Sequence, residues 1–402
     1  MSRARGMLSG STAVAAGMIG SNVAVYATTI LAARLLVPAD LGAVTALLGI
    51  MQIGTVVSLG LQAVTARRIA VDRAHQDATI NTVGRVALGV AAGTGLVVGG
   101  ASAILSGPLE LGSIWPGLLA GATLVPFTIV GAMAGVAQGA ERWRDLSLIY
   151  LANGLGRLLF AGTAMAIEPS VTACLIGMAI GGWVPVLMGL SQLRGSSDGP
   201  RTSRRPFVRE AVLGSHALLA YYALSNADAL LARLLLSPHD SGLYSAGLIL
   251  SKAAVFLPQF VTIVFFPLLA RDETSRSRHL AVLGVAGLGL LATVATALLP
   301  RLALVAVGGD QYAEIADRLW MFVLAGSLLS IVNLLVWEAI ARHAHGIVTS
   351  VWIALTSLVV AVAVLQVGIV GLVGSVTVVA LLLVAFVLVA PTARTQVSTP
   401  GA

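Results

Sequence analysis

Four apolar segments of this 402-residue chain carry polar side chains at helical spacing. In 11–36, Asn22, Tyr26 and Thr29 fall at i, i+4 and i+7 and so share one helix face. In 41–65, Thr45 and Gln52 stand a heptad apart. In 211–236, Tyr221, Ser225 and Asp228 form a stripe with Tyr222 and Asn226 beside it. In 241–269, Ser245, Lys252 and Gln259 repeat every seven residues. Two members are charged, Asp228 and Lys252, and a charge at the centre of a membrane helix costs roughly 2.5–3.5 kcal/mol on insertion scales. At about 1.5 Å per residue both lie roughly 12–17 Å from the outer ends of their segments, close enough to pair. Two readings fit them. One is an ion pair fastening neighbouring helices. The other is a titratable or ligand-binding pair on a cavity wall, with Asp228 also a candidate proton site.

A third charge, Arg157, shares a stripe with Tyr150 and Asn153. Its planar fork of donors suits phosphate recognition, although carbonyls or an acid elsewhere would also satisfy it. Arg34 and Arg233 stand near the outer ends of their segments. Snorkelling to the interface explains them, and the competing assignment is release-side contact with an anionic head group. The candidate cavity residues are therefore Asn22, Thr29, Gln52, Arg157, Ser225, Asn226, Asp228, Lys252 and Gln259.

Other chemistries lack their residues. A single cysteine, Cys174, permits neither an intrachain disulfide nor a CxxC pair. Without a GxxxxGK[ST] stretch there is no P-loop and no primary ATP drive. No HExxH motif is present, and no hydrolase is expected. His343 and His345 have no further ligand nearby in sequence, and neither metal nor cofactor is expected.

The elements holding these residues are membrane spans. Apolar residues make up 57% of the chain and charged residues only 10%, far below the quarter usual in soluble proteins. A span needs about 20 apolar residues, and twelve segments qualify. The first six are 11–36, 41–65, 86–106, 114–138, 146–167 and 170–193. The second six are 211–236, 241–269, 280–300, 317–340, 346–366 and 368–391.

Most of the 24 basic residues fall in alternate loops: Arg67, Arg68, Arg73 and Arg85; Arg142 and Arg144; Arg271, Arg276 and Arg278; and "RGSSDGPRTSRRPFVRE" at 194–210. The positive-inside rule makes that side cytoplasmic, with both termini. The net charge of +7 thus reflects topology, and no nucleic-acid partner is expected.

The chain also repeats itself. "ARLLVPADLGAVTA" at 33–46 and "ARLLLSPHDSGLYSA" at 232–246 align with one insertion, matching Arg34 to Arg233, Pro38 to Pro238, Asp40 to Asp240 and Gly42 to Gly242. Under this register Thr45 matches Ser245, Gln52 matches Lys252, and Thr29 matches Asp228. Six spans per half return the chain to its starting side, so the halves are parallel repeats about an axis along the membrane normal. The expected fold is an all-α polytopic membrane protein of twelve transmembrane helices in two six-helix bundles. These are 1–193 and 211–402, joined by a cytoplasmic connector at 194–210. Polar stripes that cannot face lipid must face protein or water, which places a hydrated cavity between the bundles.

The segment "NADALLARLLLSPHDSGLYSAGLILSKAAVFLPQFVTIVFFPLLAR" resembles the seventh and eighth helices of polysaccharide-type (O-antigen/oligosaccharide) flippases. "ILAARLLVPADLGAVTALLGIMQIGTVVSLGLQAVTARRIA" resembles their first two helices, and "GVAQGAERW" the end of the fourth. These flippases belong to the multidrug/oligosaccharidyl-lipid/polysaccharide (MOP) exporter superfamily, and the chain lacks the dense Arg and Lys cluster of its lipid II branch. The resemblance implies a MATE-like fold in the bacterial cytoplasmic membrane. It also implies alternating access that carries an undecaprenyl-pyrophosphate-linked oligosaccharide to the outer leaflet. The expected partners are that lipid-linked oligosaccharide, membrane lipid, H+ or Na+ as coupling ion, and the polysaccharide polymerase or glycosyltransferase machinery. Two other functions remain open: a cation-coupled multidrug exporter of the same superfamily, and a non-transporting membrane component of an envelope synthesis complex.

Overall fold

A computed structural model describes residues 2–193, 210–211, 215–255, 275–342, 345–365 and 368–389. The connector at 194–209, Gln259 and His343 lie outside the described residues. Thirteen α-helices are described: α1 (Ser2–Leu35), α2 (Pro38–Val71), α3 (Gln76–Ile104), α4 (Trp115–Gly139), α5 (Trp143–Ile167), α6 (Val171–Gly189), α7 (His216–Leu235), α8 (Pro238–Val255), α9 (Ser275–Leu298), α10 (Pro300–Val307), α11 (Leu319–Arg342), α12 (His345–Leu365) and α13 (Ile369–Val389). Twelve correspond to the expected spans, and α10 is a short extra helix. Ten are long and apolar enough to cross a membrane. The two that fall short, α7 and the described part of α8, contain Asn226, Asp228, Arg233, Asp240 and Lys252. They are the polar wall of the molecule.

Helix ends follow local chemistry. Prolines at the first turns of α2, α4 and α10 lose no intrahelical hydrogen bond. Ser170 caps α6 by accepting from the Ala173 amide at 3.1 Å. In lipid the hydrophobic effect does not drive helices together, so close packing of small residues carries the association. Between α3 and α4, a methyl on Gly95 would come 3.0 Å from the Gly121 carbonyl oxygen, tighter than ordinary contact.

Helices α1–α6 pack mainly on one another, as do α7–α13, and α2 bridges the two groups by lying against α7 and α8. The symmetry of the sequence is visible at this junction. Repeat-related Gly42 and Gly242 meet where α2 and α8 begin: a methyl on Gly42 would sit 2.6 Å from Ser241 Oγ, and one on Gly242 would collide with the Pro38 carbonyl.

Candidate functional site

The space between the two groups of helices is a cavity walled by α1, α2, α7 and α8. Its polar lining is Tyr26, Thr29, Thr45, Gln52, Asn226, Ser245 and Lys252. A second cavity shares Thr29 and Gln52 and runs into the first half, reaching Thr28, Thr55, Phe127, Arg157 and Met178. The two cavities meet at one wall, with Lys252 on one side and Arg157 on the other. Among the described residues, no acid lines either.

Lys252 is held in place. Its Nζ donates to the Ser225 carbonyl, a short contact, and to Asn226 Oδ1 at 2.9 Å. Asn226 in turn donates from Nδ2 to the Tyr222 carbonyl at 2.8 Å. Ser225 thus acts through its backbone, from behind the lining.

Arg157 is held differently. Its guanidinium lies 3.6 Å from the centre of the Phe127 ring, a cation–π contact. Among the described residues its buried Nε has no hydrogen-bond partner, nor has the buried Oδ1 of Asn153 one turn earlier. The stripe's third member, Tyr150, accepts from Gln62 Nε2 at 2.8 Å through its hydroxyl. The hydroxyls of Thr28, Thr29 and Thr55 donate back to carbonyls of their own helices. Among the described residues no carboxylate pairs with Arg157. A guanidinium so placed can accept an anion.

Asp228 departs from expectation. It is 3% exposed and does not line the cavities. Its carboxylate accepts from the Ala229 amide at 2.8 Å and from the Tyr244 hydroxyl at 3.3 Å. It acts electrostatically on Lys252 across the α7–α8 contact, but the two side chains form no ion pair. The reason is helical phase. The repeat register matches Thr29 to Asp228, whereas the residues on the cavity are Asn226 and Ala229. One residue is about 100° of helix rotation, enough to turn the carboxylate into the packing against α8. Asn22 is likewise not among the lining residues.

The sequence did not reveal Phe127 or Tyr244 as partners of these charges, because both come from helices distant in sequence or phase. Arg34 and Arg233 are not free at the surface. Arg34 donates to the Val305 carbonyl at 3.2 Å, and Arg233 donates to three backbone carbonyls.

No family model and no curated protein sequence matches the chain. Solved structures do. An inward-facing multidrug resistance MATE family transporter of the MOP superfamily matches with a TM-score of 0.68 and 11% identity, over 91% of this chain and 93% of that one. The lipid II flippase MurJ, in an inward closed conformation, matches with a TM-score of 0.68 and 9% identity, over 92% and 86%. An outward-facing MATE family transporter gives 0.55 and 12%, over 94% and 93%. At these identities the likeness is one of fold, and the chain has the fold that these MOP superfamily transporters share.

Proposed function

We propose that the chain is a membrane transporter that flips a polyprenyl-pyrophosphate-linked oligosaccharide from the cytoplasmic to the outer leaflet, for cell-surface polysaccharide synthesis. One observation carries this reading. Among the described residues, the polar cavities are lined by two cations, Lys252 and Arg157, and by no acid. A site of that charge selects an anionic ligand, and an arginine fork suits a phosphoryl group. Thr29, Thr45, Gln52 and Ser245 give the sugar hydrogen-bonding groups, while the lipid tail stays in the bilayer. The bundles 1–193 and 211–402 rock about the cavity, with 194–210 as their cytoplasmic connector. H+ or Na+ is the candidate coupling ion, and the polymerase and glycosyltransferase machinery are the candidate partners. The MurJ likeness supports the reading, since that protein is named a lipid II flippase.

Multidrug export is the second reading, resting on the likeness to MATE family transporters. A cationic drug would meet Lys252 and Arg157 unfavourably, and the buried acid Asp228 faces away from the cavity.

Deleting the gene in its native host and profiling lipid-linked oligosaccharides with side-specific labelling tests the proposal. Accumulation on the cytoplasmic side with loss of surface glycan is the expected result. Unchanged glycans with heightened sensitivity to amphiphilic cations would favour drug export.

A further inference from the structure

The repeat-related arginines at the outer ends of α1 and α7 are exchanged between the two halves. Arg34, from the first half, donates through Nη2 to the Val305 carbonyl at 3.2 Å. Val305 lies in α10, which follows the third long helix of the second half. Arg233, from the second half, donates through Nε to the Leu109 carbonyl at 2.7 Å and through Nη2 to the Glu110 carbonyl at 3.0 Å. Those residues follow α3, the third long helix of the first half. Arg233 Nη1 also reaches the Ala39 carbonyl, at the start of α2, at 3.2 Å.

Three further features belong to the same closure. Glu110 has a left-handed backbone, φ 48°, a conformation non-glycine residues adopt rarely and which here presents its carbonyl to Arg233. The carboxylates of Asp40 and Glu110 stand close enough to attract the same guanidinium. On the other side, Tyr312 and Gln311 of the second half both donate to the Ala33 carbonyl, the tyrosine hydroxyl at 2.9 Å. Ala33 immediately precedes Arg34. Each half thus grips backbone at the outer end of the other, beside the contact of Gly42 with Gly242.

We infer that Arg34 and Arg233 are the two arms of a latch that holds the outer end of the cavity shut, and that both must let go before that end opens. The arms are unequal. Among the described residues, Arg233, only 6% exposed, makes three charge-assisted bonds, whereas the exposed Arg34 makes one. Arg233 is therefore the main arm. The latch needs no ligand and holds whatever the transported substrate is.

Double electron–electron resonance tests the latch in lipid nanodiscs, with spin labels at Ser113→Cys and Ala313→Cys, exposed positions on the two outer loops. Cys174 is fully buried and stays in place. The otherwise unaltered protein is expected to show one dominant short distance. Arg233→Gln is expected to raise the ratio of long-distance to short-distance species by about tenfold, because three bonds to a charged donor are lost. Arg34→Gln removes one exposed bond, folds, and shifts the distribution the same way by less. If Arg233→Gln fails to fold, Arg34→Gln and Arg233→Lys decide the matter. An unchanged distance distribution in every folded variant overturns the latch.

Discussion

At the scale of single residues, Arg157 and Lys252 differ in what they cost. Lys252 repays part of its burial through the Ser225 carbonyl and Asn226, whereas Arg157 has a ring face and an unpartnered Nε. Removing a shielded charge that lacks a counter-ion relieves a desolvation penalty. Arg157→Gln should therefore leave thermal stability unchanged or raise it by about 1–2 kcal/mol. It should also weaken binding of a pyrophosphate-bearing lipid by about tenfold or more. Melting and titration of the same purified variant check both signs, and a stability loss with unaltered binding would make Arg157 a packing residue. Asp228 should behave in the opposite way. Its bond from Tyr244 and its burial against α8 place it in the α7–α8 contact, so Asp228→Asn should cost about 1 kcal/mol while transport persists. Lost transport at unchanged melting would instead assign Asp228 to ion coupling.

At the scale of elements, α2 is the helix on which the two halves meet. Where it begins, Gly242 leaves no room for a methyl against the Pro38 carbonyl. Gly242→Ala should cost about 1–3 kcal/mol through overpacking, read as a lower melting temperature, whereas Gly287→Ala, with open space around it, should cost nothing. At its other end, Arg67 and Arg68 pair with Glu210, the last residue of the connector. Partial burial pushes the Glu210 carboxyl up, but the two arginines outweigh it and hold the carboxyl below the ordinary range. A depressed folded pKa stabilises above the unfolded value, near 4.3, and that stability is lost as pH falls through the lower folded value. The cluster lies at the surface, with Arg67 well exposed, so the effect is under about 1 kcal/mol. It should appear as a steeper fall in melting temperature below pH ~4.5 for the native chain than for Glu210→Gln. Parallel curves would mean the tether contributes nothing.

At the scale of the whole molecule, the sequence disclosed the architecture more fully than the site. Apolar runs located the helices, and the "ARLL…P" repeat disclosed the parallel halves, because span length and duplication are written linearly. Gln52 and Lys252 were legible as cavity residues for the same reason: their seven-residue spacing keeps one face. Asp228 lies behind the lining, and a repeat alignment that is sound along the chain does not fix rotation about the helix axis. The partners of Arg34 and Arg233 were invisible because backbone carbonyls leave no mark in a sequence. Phe127 beneath Arg157 required knowing which face of α4 meets α5.

The sign of the charge that the cavity accepts decides between lipid-linked glycan and cationic drug as its ligand. The direct test reconstitutes the protein in liposomes with a fluorescent polyprenyl-pyrophosphate-linked disaccharide and measures its movement between leaflets by accessibility to an external quencher. The native chain should speed equilibration over protein-free vesicles, with the gain lost in the Arg157→Gln, Lys252→Gln double variant. No acceleration of the lipid by the native chain, together with protein-dependent movement of a lipophilic cation, would contradict the account.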